Sequence, residues 1–317
     1  MGNDQSDPDA GGEARIEVPL GPISRHLTNG SLIPFLGAGA SVVPVKDGPP
    51  LPLGRALARR LAIDFAYPSE DGSPEDLAMV ASYCEKVNGT REDLKDSLHQ
   101  IFDRRVEPGP LHRFLAGIEA PLLILTTNYD ELIETAFDDA GRPYQLIVYP
   151  ADERVNRGSV LWRESGTKEL VFVKPESLAI DPKKAVIYKM HGTCDRSNAR
   201  NDHFVISEED YVRYLAQMPF PAVLQARMRG KRFLFLGYGL RDWNFRVMLH
   251  KLDPANASAA APAAAASGEW KSWAIMRHPS EVEKRIWSKK QVELCDADID
   301  SVVAALQERL AAGASPF

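Results

Sequence analysis

Residues 121–130 read Pro-Leu-Leu-Ile-Leu-Thr-Thr-Asn-Tyr-Asp. Positions 121–128 form a nearly continuous apolar run with no polar residue interleaved before the threonines. A strand with one wet face alternates, whereas a strand covered on both faces does not, and the second pattern belongs to parallel sheets. Arg-Phe-Leu-Phe-Leu-Gly at 232–237 reads the same way. Two further strands are expected at 31–37 (SLIPFLG) and 185–192 (AVIYKMHG). Each of these strands runs straight into small or polar residues: Thr-Thr-Asn-Tyr-Asp at 126–130, Gly-Tyr-Gly at 237–239, Gly-Ala-Gly-Ala-Ser at 37–41, and His191-Gly192.

Helix signals lie between the strands. Leu53, Leu57 and Leu61 recur every four residues and predict a helix over 52–66. Ser73-Pro74-Glu75-Asp76 predicts a capped start, and Thr90-Arg91-Glu92-Asp93 a capping box opening a helix to about residue 105. Further helices are expected over 130–140 (closed by Gly141), after Ser207, up to Gly230, from Asp242, and over 279–288 and 298–312. Short strands are expected at 144–149, 270–276 and 291–294, with an irregular polar stretch from 150 to 183. Strands alternating with helices make an α/β fold, a parallel sheet with helices on both faces and right-handed crossovers. In such sheets ligands sit at the carboxyl ends of the strands. That is where all of these short motifs fall.

The 317 residues carry a formal charge of −6, with 44% hydrophobic and 26% charged residues. This is ordinary for a globular chain, and with no run of Lys/Arg it predicts no direct nucleic-acid binding. No apolar stretch approaches a membrane span, and the polar, acidic start lacks the features of a signal peptide, so a cytoplasmic setting is expected. Cys84, Cys194 and Cys295 are far apart, with no CxxC pair, so no structural zinc and no bound metal are expected. Residues 1–22 read as a disordered tail before a single domain over 23–317. That domain carries a helical insertion over about 64–110 and a flexible Ala/Pro loop at 253–268.

Each motif has two readings. Gly37, Ala38, Gly39, Ala40 and Ser41 make either a packing turn or a backbone cradle for a phosphate. Asn128 and Asp130 either cap the following helix or project into a cleft. His191 is either a satisfied structural residue or a general base, the role its ordinary pKa suits best. Gly237, Tyr238 and Asp242 form a simple turn and N-cap, or a second cradle for ribose or phosphate. Other catalytic signatures are missing from the chain: there is no GxxxxGK[ST], no GxSxG and no HExxH.

Taken in order, GAGAS at 37–41, TTNYD at 126–130, HG at 191–192 and GYGLRD at 237–242 resemble the motifs of the sirtuin family, over roughly residues 25–312. The resemblance implies a Rossmann-like domain that consumes NAD+. It departs from the family's deacylases at Thr127, where glutamine is usual. It also departs in the sequence VVPVKDGPPLP after the first loop and in the missing four-cysteine zinc module. These departures are similar to the zinc-less prokaryotic branch found in anti-phage defence. They imply an NAD+ glycohydrolase that releases nicotinamide and ADP-ribose. The resemblance assigns His191 as general base and Asn128 as the residue orienting ribose or water. It assigns Asp130 to the carboxamide end, and Gly37, Ala38, Gly39, Ala40, Ser41, Thr127, Gly237, Tyr238 and Asp242 to the dinucleotide. Two alternatives remain, an NAD-dependent protein deacylase and a non-catalytic NAD or ADP-ribose sensor. A separate sensor or regulatory subunit, or self-association into a homo-oligomer, is expected to restrain such an activity.

Overall fold

The computed structural model describes residues 18–45, 48–68, 74–151, 158–167, 169–216, 220–239 and 272–313. Asp242 and the 253–268 stretch lie outside the described residues.

The central strands are β1 (Leu32–Leu36), β2 (Leu123–Thr126), β3 (Tyr144–Val148) and β6 (Ala185–Lys189), in which every residue is buried. With β9 (Arg232–Leu236), β10 (Ser272–Met276) and β11 (Val292–Asp296) they form a parallel array in the order β11-β10-β9-β1-β2-β6-β3. The sheet continues antiparallel through β4 (Val160–Glu164) and β5 (Val171–Val173). These two strands correct the expectation of irregular chain over 150–183. The β5 strand is a three-residue edge strand, Val171-Phe172-Val173, with two exposed residues, and so short an apolar run does not stand out from the polar chain around it.

Successive residues of each strand feed opposite faces, as the pleat requires. Leu32 and Leu36 of β1 enter one core, and Ile33 and Phe35 enter the other. The first core is closed by α1 (Leu20–Thr28), α5 (Pro110–Gly117), α6 (Leu132–Asp139) and α10 (Ile299–Gly313). The second is closed by α7 (Glu208–Ala216), α8 (Ala222–Met228) and α9 (Glu281–Ser288). A third core joins α2 (Gly54–Asp64), α3 (Leu77–Lys86) and α4 (Arg91–Phe102) to Tyr129, Leu132, Cys194, Phe204 and Ile206. Tyr129 and Cys194 follow the ends of β2 and β6, so this helical layer packs against the carboxyl edge of the sheet.

The helix signals hold in part. Thr90 and Asp93 make the reciprocal capping box, and Gly141 adopts φ +61° just past α6. Leu57 and Leu61 are buried, but Leu53 precedes its helix and is exposed. The cap of α3 is Asp76, whose side chain accepts from the amides of Ala78 and Met79. Helix α1 starts at Leu20, within the stretch expected as tail, and buries Ile23, Ser24 and Leu27. Its Pro22 hid it from pattern reading, yet proline is tolerated in a first turn, where the missing N–H has no partner to lose. Helix α5 and a small hairpin of β7 (Gly192–Thr193) and β8 (His203–Phe204) were also unexpected. The β6 strand stops at Lys189, not Gly192. No helix among the described residues is long and apolar enough to cross a membrane.

Candidate active site

The chain leaves β1 for β2 on one side, and later returns to lay β9 on the other side of β1. The loops after β1 and β9 therefore diverge at a topological switch point, where open α/β sheets hold their ligands. Here the two loops touch. Gly37 N–H donates to the Leu236 carbonyl at 3.0 Å, and Gly39 N–H to the Gly237 carbonyl at 2.8 Å. Gly237 sits at φ +66°, and a Cβ there would lie 2.1 Å from the Ala40 nitrogen. A Cβ on Gly37 would lie 2.7 Å from both the Gly237 carbonyl oxygen and the Tyr238 Cα. The glycines are thus required by loop–loop contact. The expectation that residues 37–41 all present N–H groups to a ligand is corrected on this point. The amides of Gly37, Gly39 and Ala40 are already engaged, Ala40 with the Gly37 carbonyl at 2.8 Å. Ala38 is the exposed residue of the loop, and Ser41 is buried. Tyr238 packs edge-on against Phe35 at 5.2 Å.

Ser41, Asn128 and Asp130 come together beneath this loop. Asn128 Nδ2 donates to the Gly37 carbonyl at 2.9 Å and to Ser41 Oγ at 2.8 Å. Ser41 Oγ donates in turn to Asp130 Oδ2 at 2.7 Å, and Asp130 Oδ1 accepts the Leu132 N–H at 3.1 Å. The capping reading holds for Asp130, which receives an amide at the start of α6, while its other oxygen faces Ser41. Thr126 Oγ1 accepts the Asn128 N–H at 3.0 Å and donates to the Leu36 carbonyl at 3.2 Å, tying the turn to β1. Asn128 Oδ1 carries no hydrogen bond among the described residues and is the free acceptor of the cluster. Thr127 is half-buried, and its N–H donates to the Leu36 carbonyl at 3.2 Å. Tyr129 turns away into the helical layer, where its hydroxyl donates to the Val205 carbonyl at 2.8 Å between Phe102 and Phe204.

His191 stands at the adjoining strand end, since the Met190 N–H donates to the Thr126 carbonyl at 2.8 Å. Its ring lies edge-on to Tyr211 at 5.5 Å and Tyr214 at 5.2 Å, both on α7. It is not hydrogen-bonded to Ser41, Asn128 or Asp130. Burial lowers its pKa to about 4, so the imidazole is neutral near pH 7. The Gly192 φ of +92° and its packing against the His203 carbonyl show why only glycine follows it.

Two residues that pattern reading missed support the cluster. Lys189 is fully buried at the end of an otherwise apolar strand. Its Nζ donates to the Tyr129 carbonyl at 3.1 Å, the Asp130 carbonyl at 2.5 Å and Glu134 Oε1 at 2.9 Å. His112, in the first turn of α5, accepts the Gly109 N–H on Nδ1 at 3.2 Å. Burial lowers its pKa to about 4, against the opposing pull of the Asp130 charge. The three cysteines are buried and free. Among the described residues, His99, Cys194 and Asp202 are the group with metal-ligand spacing, and it shares no residue with the Ser41–Asn128–Asp130 cluster.

A model of the SIR2-like domain family matches residues 122–295. The chain is similar to the "NAD(+) hydrolase ThsA" of Acinetobacter baumannii, 27% identical over 76% of this chain and 43% of that protein. It is similar to the "NAD(+) hydrolase ThsA" of Bacillus cereus, 28% identical over 56% of this chain and 32% of that protein. A third relative is "Defense-associated sirtuin 2" of Bacillus subtilis, 24% identical over 72% of this chain and 20% of that protein. The chain thus spans less than half the length of these relatives. The family match takes in β2 through β11, more than half of the chain, including the Asn128–Asp130 and His191 positions, and the chain belongs to the SIR2-like domain family.

Proposed function

We propose that the chain is an NAD+ glycohydrolase, cleaving NAD+ to nicotinamide and ADP-ribose. The observation that carries this reading is the hydrogen-bonded Ser41–Asn128–Asp130 cluster at the β1/β9 switch point, with a neutral imidazole at the next strand end. The names of the ThsA relatives support it.

In this reading the dinucleotide lies over the 37–41 turn and the Gly237-Tyr238 loop, with Ala38 and Thr127 at its edge. The bond between ribose C1′ and the nicotinamide nitrogen breaks, and its electron pair neutralises the pyridinium. Positive charge builds on the ribose, as in other glycoside cleavages. The Asp130 carboxylate, fixed by Ser41 and the Leu132 amide, holds the carboxamide end. The free Oδ1 of Asn128 orients the ribose or the incoming water. His191 takes the proton that water loses as its oxygen bonds to C1′, and passes it to solvent. The imidazole is neutral at working pH and so offers an unprotonated nitrogen, while its lowered pKa makes it a weaker base than an ordinary histidine. The buried free thiols fit a reducing cytosol. Loss of cellular NAD+ would serve anti-phage defence, under the control of a sensor subunit or of self-association.

The product identifies the reaction. Purified chain is incubated with NAD+, with and without an acetyl-lysine peptide, and the ribose products are resolved by mass. Free ADP-ribose without peptide is the expected result. Turnover that requires the peptide and yields acetylated ADP-ribose would assign a deacylase, and tight NAD+ binding without either product would assign a sensor.

A further inference from the structure

We propose that His99, Cys194 and Asp202 form a binding site for a zinc-class divalent cation that fastens the helical layer to the catalytic edge of the sheet. The β7–β8 register pairs Thr193 with His203, which places Cys194 opposite Asp202 at the next step of the hairpin. The last turn of α4 lays His99 across them. Cys194 Sγ is 3.6 Å from His99 Nδ1, Asp202 Oδ2 is 2.6 Å from the same nitrogen, and the three ligand atoms all lie within 4.8 Å of one another.

The pattern of contacts distinguishes a metal site from a nucleophilic relay. A Cys–His–Asp relay needs the thiol on one ring nitrogen and the carboxylate on the other. Here Asp103 Oδ2 does lie 3.4 Å from Nε2, but the thiol shares Nδ1 with Asp202, which sits closer at 2.6 Å, and a nitrogen engaged by that carboxylate is not a base for the thiol. A cation among the three satisfies all at once. Thiolate, imidazole and carboxylate bonds of roughly 2.0–2.3 Å at tetrahedral angles place the donors about 3.2–3.7 Å apart. The sulfur–nitrogen distance already fits, and the His99–Asp202 contact opens once its shared proton leaves. That proton moves to Nε2, where Asp103 Oδ2 lies 3.4 Å away, and the thiol proton goes to solvent. His99 is partly exposed, so water can complete the coordination.

The surroundings are those of a supported ligand set. Asp202 Oδ1 accepts the Asp195 N–H at 2.7 Å. The Asp195 carboxylate is itself held by Ser197 N and Oγ, Asn198 N and Asn201 Nδ2. The site also reaches the candidate active site, because the Cys194 N–H donates to the Tyr129 carbonyl at 2.9 Å, between Asn128 and Asp130.

The test is titration of chelator-treated full chain with Co2+, followed by displacement with Zn2+. The expected result is one equivalent of Co2+ with a thiolate-to-cobalt charge-transfer band and intense tetrahedral d–d bands, removed by Zn2+. Cys194→Ser should abolish the charge-transfer band. His99→Gln, a change at a partly exposed helix position that leaves the fold intact, should weaken binding at least about tenfold. Cys84→Ser and Cys295→Ser should change nothing. Zn2+ should also raise the unfolding temperature of wild type and not of His99→Gln. Wild type showing no charge-transfer band at stoichiometric Co2+, or a band that survives His99→Gln undiminished, would overturn the proposal.

Discussion

Replacing Lys189 by methionine tests how the active-site turn is held. The Lys189 side chain is 0% exposed and that of its partner Glu134 is 2% exposed, with Nζ and Oε1 2.9 Å apart. The same ammonium serves the Tyr129 and Asp130 carbonyls, so one substitution removes a donor from three acceptors, of which the Tyr129 carbonyl keeps the Cys194 N–H. Glu134 Oε2 accepts no hydrogen bond among the described residues. Breaking one side of a buried pair typically costs about 3–5 kcal/mol, because the remaining charge stays in the interior without compensation. That is a large share of the roughly 5–15 kcal/mol that separates folded from unfolded chain. Urea denaturation followed by tryptophan fluorescence reads the loss directly. Lys189→Met should lower stability by about 3 kcal/mol or more, whereas Lys189→Met/Glu134→Leu should recover most of the charge penalty. Nicotinamide release should stay impaired in both, since the Asp130 carbonyl loses its anchor either way. A single variant costing under ~1 kcal/mol, or a double variant no more stable than the single, would refute the reasoning.

Acid should destabilise the fold through two histidines. Burial holds His112 and His191 at about 4 in the folded chain, against an ordinary 6.5. Between those values the unfolded chain binds more protons, so this stability is fully present above about pH 6.5 and is lost as pH falls toward 4. The loss is on the order of 3 kcal/mol per histidine. A urea midpoint that holds steady from pH 7 to 5 would contradict it. Gly237→Ala adds a Cβ 2.1 Å from a backbone nitrogen at φ +66°, while Gly239→Ala meets open space. The first should cost at least ~2 kcal/mol and the second under ~0.5 kcal/mol, and equal thermal shifts would undo the loop-packing account. Thr90→Ala removes half of the capping box of α4 and should cost about 1 kcal/mol, checked by the same denaturation curves.

The strands that carry the site announced themselves because they are covered on both faces, and a doubly buried strand has no choice but a continuous apolar run. Their carboxyl ends were legible for the same reason, since a run that stops at Gly37, Thr126 or Gly237 marks the sheet's edge. The β4 and β5 strands were not legible because Val160-Leu161-Trp162 and Val171-Phe172-Val173 are apolar runs too brief to stand out from the polar chain around them. Lys189 was hidden inside AVIYKM, where one polar residue in an apolar strand gives no hint of the two carbonyls and the carboxylate that accept its protons. His112 and the His99–Cys194–Asp202 group were hidden because their partners are distant in sequence. Serine and asparagine at 41 and 128 could be named as site residues from their motifs, but their direct hydrogen bond depends on β1 and β2 lying side by side.

The most direct test of the proposed activity is nicotinamide release from NAD+ by the purified chain, wild type beside Asn128→Ala and His191→Ala. The account predicts release by wild type and a fall of about 10²–10⁴-fold in the His191 variant, with both variants folded and Asn128→Ala likewise impaired. Wild type that releases none, or variants that release it as fast as wild type, would contradict it.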